Sequence, residues 1–319
     1  MSWSQEPGII DRVLVAEQQA NPMPPSSLRK DTIRNILRQR TAVIGLVILA
    51  FLALVALLAP VIAPYGPDDS MLKLGEEGTR GLAPCIHLLG CPTDQAQHLM
   101  GLDSNVRDEF SRVVFGSRFS LLIGFVTVSF AIVIGTLIGA VAGFAGGRVD
   151  NILMRIMDVV LSFPSLILAI AIVTVLGTGL VNAMLAIGIV SIPIYARVMR
   201  ASVLSVRETD FVTASRALGE SSGGILSRRI LPNALTPLIV QGTLGIGGAI
   251  LEVAALSFVG LGAQPPTAEW GFMIASDRNL FFSAPHLIFF PGVAITLSVL
   301  AFNLIGDGLR DALDPRLNR

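Results

Sequence analysis

Few side chains in this sequence are placed to perform covalent or nucleotide chemistry. Its lysines, Lys30 and Lys73, both lie outside the Gly-Lys-Ser/Thr context that a P-loop uses to reach phosphates. The histidines, His87, His98 and His286, are scattered along the chain and form no H-E-x-x-H metal motif, and no G-x-S-x-G nucleophile motif is present. The sequence therefore predicts no catalytic residue, no metal site and no cofactor in this chain.

Polar side chains inside apolar segments are the next candidates, because an ionisable group in a membrane is costly and is often retained for function. Glu252 interrupts the apolar residues 233–262, and Asn303 interrupts the last apolar segment. Either a structural hydrogen bond or contact with a translocated solute would explain Glu252. Asp158 follows Arg155 at i, i+3 spacing, which favours a structural ion pair along one helix.

The overall composition is that of a membrane protein. The chain has 319 residues, of which 52% are hydrophobic and 14% charged, and its mean hydropathy is +0.70. A span needs about 20 apolar residues, and the sequence predicts an all-α polytopic fold with about six spans. The net charge of zero gives no basic face for nucleic acid. The predicted spans are residues 42–63, 119–144, 155–177, 181–200, 234–258 and 287–306.

The positive charges orient these spans. Most of the 23 lysine and arginine residues fall on the side of the two termini, which the positive-inside rule assigns to the cytoplasm. The predicted segments are a disordered cytoplasmic tail (1–25), an amphipathic helix (26–41), the first span (42–64), an extracytoplasmic loop (65–118), and a core with five spans (119–319). The helix would lie on the anionic leaflet, or it is a basic flank that only fixes topology.

The cysteines, Cys85 and Cys91, both lie in the predicted extracytoplasmic loop, where a disulfide is chemically permitted. A local bridge and two free thiols are both compatible with this short separation. A zinc site is disfavoured, because His87 and His98 do not have zinc-ligand spacing relative to the cysteines.

The polar loop 206–232 combines an amphipathic helix with a turn. Leu204, Phe211, Ala214 and Leu218 share one helical stripe, with charged residues around it. Gly219 is placed to end this helix in the left-handed conformation, after which Ser221 or Ser222 would cap a second short helix and Pro232 would open the next span. The stripe either packs on the chain's own helices or lipid, or docks a partner.

At this loop the sequence resembles the membrane-spanning subunits of ABC importers. Their EAA signature has Glu-Ala-Ala, a nearby glycine, and Leu-Pro about a dozen residues later; here the matching residues are Thr213-Ala214-Ser215, Gly219 and Leu231-Pro232. The glutamate is replaced by Thr213 and the second alanine by Ser215. A salt bridge from that glutamate is therefore not expected in this chain.

Other segments resemble the C-type permease of the dipeptide, oligopeptide, glutathione and nickel importers. The similarity runs from about residue 34 to the C-terminus, with an apparent insertion at 85–97. The segments that carry it are Gly-Leu-Asp at 101–103, Arg-Asp-Glu-Phe-Ser-Arg at 107–112, Leu-Ser-Phe-Val-Gly-Leu-Gly-Ala-Gln-Pro-Pro at 256–266, Trp-Gly at 270–271, and Gly-Asp-Gly-Leu-Arg-Asp-Ala-Leu-Asp-Pro at 306–315.

The resemblance implies a type I ABC importer permease fold in a bacterial or archaeal inner membrane. It implies a homologous B-type permease, one or two ATPase subunits that carry ATP and Mg²⁺, and an extracytoplasmic substrate-binding protein as partners. Peptides, including glutathione, are the first expectation for the substrate and nickel complexes the second. The residues implied to couple to the ATPase are Asp210, Phe211, Thr213, Ala214, Ser215, Leu218, Gly219 and Glu220.

The main alternative is a secondary transporter driven by an ion gradient through Glu252 and Asp158. Such transporters are typically built from symmetric halves with broken helices, and the sequence shows no convincing internal repeat. A membrane scaffold without transport activity would leave the loop 206–232 without a moving partner.

Overall fold

The computed structural model describes residues 39–75, 78–92 and 96–313. The predicted tail 1–25 and most of the predicted amphipathic helix 26–41 lie outside these residues. Regular structure in the described ranges is helical, with isolated β-bridges in the loop after the first helix. The principal helices are α1 (Arg40–Ile62), α2 (Glu109–Ala145), α3 (Gly147–Leu161), α4 (Ser165–Leu176), α5 (Leu180–Arg207), α6 (Asp210–Ala217), α7 (Thr236–Phe258), α8 (Trp270–Asp277) and α9 (His286–Leu313).

Short helical turns connect the principal helices at both ends of the molecule. They are Met71–Leu74, His87–Leu89, Ser222–Gly224, the π-helical Ile225–Ile230, Leu231–Ala234 and Arg278–Leu280. Pro232 therefore lies in a short turn, and the fifth predicted span begins after it, at Thr236.

Five of the described helices, α1, α2, α5, α7 and α9, are each long and apolar enough to cross a membrane. The third predicted span, 155–177, was wrong as a single helix, because the structure breaks it into α3 and α4, which meet at 91°. The break contains Pro164, and a proline disfavours helical geometry at the residue before it, here Phe163. Counting this bent pair as one span gives the predicted six.

α2 begins well before the second predicted span. Its N-cap is Asp108, whose carboxylate accepts a hydrogen bond from the Ser111 N–H at 2.8 Å. The sequence predicts that the span starts at residue 119, after the charged Arg112 and Arg118. The helix itself starts earlier, because the first turns of a capped helix do not have to be apolar. The last part of the predicted loop 65–118 is therefore helical.

α5 packs most extensively against α2, through a stripe of glycines on α2. Gly135, Gly139 and Gly143 recur every four residues and so share one face. A Cβ at Gly135 would lie 2.9 Å from the Ile192 carbonyl oxygen, and one at Gly139 would clash with the Ala196 carbonyl oxygen. The missing side chains therefore allow the two helix backbones into direct contact, as small residues do between membrane helices.

Candidate functional site

The loop 206–232 forms an elbow at the end of α5. α5 ends at Arg207, and α6 begins at Asp210 after an extended Thr209 (φ −78°, ψ 152°). The Thr209 hydroxyl donates a hydrogen bond to the Val206 carbonyl at 2.6 Å, which fixes the corner. The predicted continuous stripe was therefore wrong at one position, because Leu204 belongs to α5 while Phe211, Ala214 and Leu218 follow the corner.

α6 has one buried side and one exposed side. Val212 is fully buried, together with Ile225 and Ile230 of the following π-helical turn. Phe211 is 44% exposed and Leu218 87% exposed. Among the described residues, the predicted stripe at 211 and 218 thus leaves much of its apolar surface uncovered.

The remaining residues of the predicted coupling set lie on the same elbow. Asp210, Thr213 and Ala214 are exposed, and Ser215 and Glu220 are half-buried. The Thr213 hydroxyl reaches only the Thr209 carbonyl, at 3.5 Å, within the same helix turn. No carboxylate therefore stands at the position of the signature glutamate.

The end of α6 is fixed by a Schellman turn. Gly219 adopts the left-handed conformation (φ +80°), as the sequence predicts, and its N–H donates to the Arg216 carbonyl at 3.1 Å. The Glu220 N–H donates to the Ser215 carbonyl, also at 3.1 Å. These two bonds satisfy carbonyl groups that a helix end otherwise leaves without partners.

The second half of the elbow is held by a cap and an ion pair. The Ser221 hydroxyl accepts a hydrogen bond from the Gly224 N–H at 3.3 Å, so Ser221, rather than Ser222, is the cap. Glu220 pairs with Arg229 at 3.0 Å. The ion pair therefore joins the turn after α6 to the second half of the elbow.

Three arginines of α5 connect the elbow to the neighbouring helices. Arg207 donates hydrogen bonds to the carbonyls of Gly143 and Phe144 at 3.0 and 3.4 Å, at the end of α2. Arg200 makes two hydrogen bonds to Asp150 of α3, at 2.5 and 2.6 Å. The carbonyl end of α2 is electronegative, which favours a cation there.

The third arginine, Arg197, pairs with Asp158 at 2.6 Å. The predicted partner of Asp158, Arg155, was wrong, because the bend after α3 brings α5 closer than the same helix turn. In the sequence, Arg197 and Arg200 lie three residues apart on α5, and Asp150 and Asp158 lie eight residues apart on α3. This spacing is the sequence signal for the cross-helix pairing, and it was not used in the prediction. Asp150 and Arg200 were therefore missed.

Glu252 lies on α7 beside the break between α3 and α4. Its Oε1 accepts a hydrogen bond from the Ser165 hydroxyl at 3.4 Å, and Ser165 is the first residue of α4. Asn303 lies on the exposed side of α9. Among these three polar candidates, Asp158 is engaged in a short ion pair, whereas Glu252 has only this long hydrogen bond.

The opposite end of the molecule carries a buried polar cluster at the start of α2. Asp103 pairs with Arg107 at 2.7 Å, and Asp108 contacts His98 at 3.1 Å. Arg112, almost fully buried, donates to the Pro67 carbonyl at 2.7 Å. Asp103, Arg107, Asp108 and Arg112 belong to the segments 101–103 and 107–112 that carry the resemblance, and their contacts with His98 and Pro67 hold the outer loop against the start of α2.

This outer loop also contains the two cysteines. The structure joins Cys85 and Cys91 in a disulfide, with their Cα atoms 5.4 Å apart. Backbone hydrogen bonds between Cys85 and His98 attach the disulfide-closed turn to the buried cluster. The turn is therefore anchored at its base while Leu88, at its tip, is 95% exposed.

Two carboxylates near this end have pKa values shifted by burial. Burial raises the pKa of Glu269, although it caps α8 by accepting hydrogen bonds from the Gly271 and Phe272 N–H groups at 2.9 and 2.8 Å. Burial also raises the pKa of Asp277, and the nearby Asp103 charge adds to this shift. Both acids therefore hold a proton more readily than they would in water.

Comparison with known families now identifies the chain. Residues 135–319 match the family described as binding-protein-dependent transport system inner membrane component. The chain belongs to this family. Residues 27–76 match the N-terminal TM domain of oligopeptide transport permease C, which confirms the C-type subunit.

Similar proteins cover nearly the whole permease. The dipeptide transport system permease protein DppC of Alkalihalophilus pseudofirmus is 44% identical over 90% of this chain and 90% of its own. The di/tripeptide transport system permease protein DppC of Pseudomonas aeruginosa is 45% identical, covering 92% and 93%. The glutathione transport system permease protein GsiD of Pectobacterium atrosepticum is 40% identical, covering 89% and 90%.

The fold is also similar to a solved transporter. The MetNI methionine ABC transporter, in an inward-facing conformation, matches with a TM-score of 0.54 and 21% identity, over 64% of this chain and 98% of that chain. The chain is therefore a polytopic permease subunit with the fold of an ABC importer permease.

Proposed function

We propose that this permease imports peptides, and that its solute is a dipeptide, an oligopeptide or glutathione. The proposal is supported by the names of the relatives, which are dipeptide, di/tripeptide and glutathione permeases at 40 to 45% identity over most of the chain. Nickel complexes are a weaker proposal, because the described residues contain no group of three or more potential metal ligands.

The coupling site in this proposal is the exposed side of the elbow, and one observation carries it. Phe211 and Leu218 leave apolar surface exposed on a short helix whose opposite side, at Val212, is buried and rigidly held. Exposed apolar side chains rimmed by charges are typical of a protein interface. The partner that fits is an ATPase subunit, whose ATP and Mg²⁺ supply the energy while this chain supplies no catalytic residue.

The proposed complex contains a homologous B-type permease, one or two ATPase subunits and a binding protein outside the inner membrane. Both termini and the elbow lie in the cytoplasm, where the excess of positive charge supports their placement. Closure of the ATPase pair moves the elbow as a rigid body, and the permease pair alternates its access in response.

Reconstitution of the complete complex in proteoliposomes tests this function. We expect uptake of alanyl-alanine to require internal ATP, the binding protein and an intact ATPase, and to persist when ionophores remove proton and sodium gradients. Uptake that follows the ion gradient and ignores ATP would instead support the secondary transporter. Loss of uptake with ATPase subunits lacking their P-loop lysine would locate hydrolysis in the partner.

A further inference from the structure

Glu252 differs from Asp150 and Asp158, the acidic residues of α3, in having no ion pair with an arginine. Asp150 and Asp158 are each paired with an arginine of α5. Among the ion pairs of the described residues, none involves Glu252, and its hydrogen bond to Ser165 is 3.4 Å long. A carboxylate in an apolar span is costly without compensating charge, and a cation from outside the described part of this chain would supply that charge.

The position next to Glu252 is open, and the chain there is broken. α4 has 12 residues and is about 18 Å long, so with one end at a membrane surface the other lies inside the roughly 30 Å hydrocarbon layer. Ser162, Phe163 and Pro164, which precede it, are non-helical and exposed. Irregular backbone at membrane depth is tolerated where it is buried in protein or lines a wet cavity, and a wall of the transport pathway is a setting of this kind.

The side of α7 that carries Glu252 leaves room for a solute. Gly248 lies one helical turn earlier, so it shares the exposed side with Glu252. A Cβ built at Gly248 meets nothing within 4 Å. The next residue along the chain, Val253, is fully buried in the main core. Glu252 is half-buried and lies one turn from the open space at Gly248, whereas its neighbour Val253 packs inside the protein.

We propose that Glu252 binds the ammonium group of the transported solute at the break between α3 and α4. This inference rests on the proposed function, since it assigns the free amino terminus of a peptide to one residue of the transport pathway. An ammonium supplies both the positive charge and the hydrogen-bond donors that a carboxylate accepts. Ser165 orients the carboxylate through its hydroxyl group and remains with it when no solute is bound.

A cysteine at position 248 tests the cation site without needing a transported substrate. In the complete reconstituted complex, we expect Gly248→Cys to react about 10-fold faster with a trimethylammonium methanethiosulfonate than with its sulfonate counterpart, since the Glu252 charge attracts cations. Adding Glu252→Gln should remove this preference. Val253→Cys is the buried control and should react with neither reagent.

The same experiment overturns the proposal in three ways. If neither reagent modifies Gly248→Cys while a reagent-accessible Leu88→Cys control reacts, the surface is closed by lipid or by the partner permease. If the preference for the cationic reagent is absent, a lysine or arginine of the partner permease already neutralises the carboxylate. If the preference persists in Glu252→Gln, another negative charge causes it. Each of these results removes Glu252 as a solute site.

Uptake measurements then separate recognition from assembly. We expect Glu252→Gln to reduce alanyl-alanine uptake about 10-fold, a loss equal to one weakened charge-assisted hydrogen bond, with unchanged complex yield; Glu252→Asp should restore part of the uptake. Equal losses of yield and uptake would overturn the proposal in favour of a structural role. If the wild-type complex takes up no alanyl-alanine, the peptide function fails, and the charge selectivity at Gly248→Cys still decides the cation site.

Discussion

Arg200 on α5 donates two hydrogen bonds to the carboxylate of Asp150 on α3, from Nε to Oδ1 at 2.5 Å and from Nη2 to Oδ2 at 2.6 Å. Seven residues further along α5, Arg207 binds the last carbonyls of α2. The helix that enters the elbow is thus tied to two neighbouring helices at the ends that meet near the elbow. We therefore expect a displacement of the elbow to move α2 and α3 together.

Removing the Arg200 contact should loosen α3 from α5. We expect Arg200→Met to destabilise the permease by about 1–2 kcal/mol, because Asp150 is left partly buried without its partner, and to lower uptake more than ATP hydrolysis. Thermal denaturation and the ratio of solute imported to ATP hydrolysed measure the two effects. A double-mutant cycle with Asp150→Asn isolates the pair, and additive losses would contradict a direct coupling between them.

A charge on the exposed side of the elbow should weaken binding of the ATPase and so reduce transport. Leu218→Asp is expected to weaken ATPase binding by about 2 kcal/mol, roughly 30-fold, as removal of an interface hot spot does. Pull-down of the ATPase by the permease and uptake assays measure this. Leu88→Asp makes the same substitution at a comparably exposed leucine in the outer loop and should leave binding intact; equal effects would argue against a specific interface at α6.

The turn at Gly219 should be equally sensitive. Gly219→Pro forces φ to about −65° where the native value is +80° and removes the N–H that bonds the Arg216 carbonyl. We expect the elbow to lose its shape at a cost of about 1–3 kcal/mol, with normal membrane insertion and little uptake. Gly223→Ala, at an open position without positive φ, is the matched control. Normal uptake by Gly219→Pro would show that the turn is dispensable.

The contact between α2 and α5 should not tolerate even a methyl group. Gly139→Ala would place a Cβ against the Ala196 carbonyl oxygen, and overpacking of this kind costs about 1–3 kcal/mol. Differential scanning fluorimetry of the purified complex should show a lower denaturation midpoint. Gly292→Ala, where a Cβ meets nothing within 4 Å, should leave the midpoint unchanged.

Asp277 supplies a prediction about pH. Because burial and Asp103 raise the pKa of its carboxyl above the unfolded value, the wild-type protein gains stability as pH falls through that raised pKa. Asp277→Asn removes the charge and still accepts the Ser104 N–H. We therefore expect the variant to be at least as stable as wild type at pH 7, with the difference shrinking at pH 5. A variant less stable at pH 7 would mean that the ionised carboxylate is needed.

Local signals predicted the elbow well. Gly219 and Ser221 act through backbone bonds to residues within five positions, so their roles follow from sequence order alone. The exposed positions of Phe211 and Leu218 were left open by periodicity, because a stripe does not say which surface covers it. The family comparison then confirmed an importer permease, while the coupling role of these residues stays a proposal.

Features that depend on distant residues were predicted poorly. The pairing of Asp158 with Arg197 rather than Arg155 depends on the bend between α3 and α4, and hydropathy does not reveal that bend. The contact of Gly139 with Ala196 likewise requires knowing that α2 and α5 are neighbours. Apolar periodicity reports how much of a segment avoids water, but it does not report which helices share a face.

The exposure of Leu218 bears on how fast the cell degrades this subunit. If the elbow docks the ATPase as proposed, a permease without its ATPase leaves Leu218, which is 87% exposed, and the half-exposed Phe211 uncovered. Exposed apolar surface attracts chaperones and proteases. We expect orphan copies to be degraded faster than assembled ones, so that pulse-chase lifetimes fall when the ATPase gene is silenced. Through Phe211 and Leu218, the amount of permease would then follow the amount of ATPase.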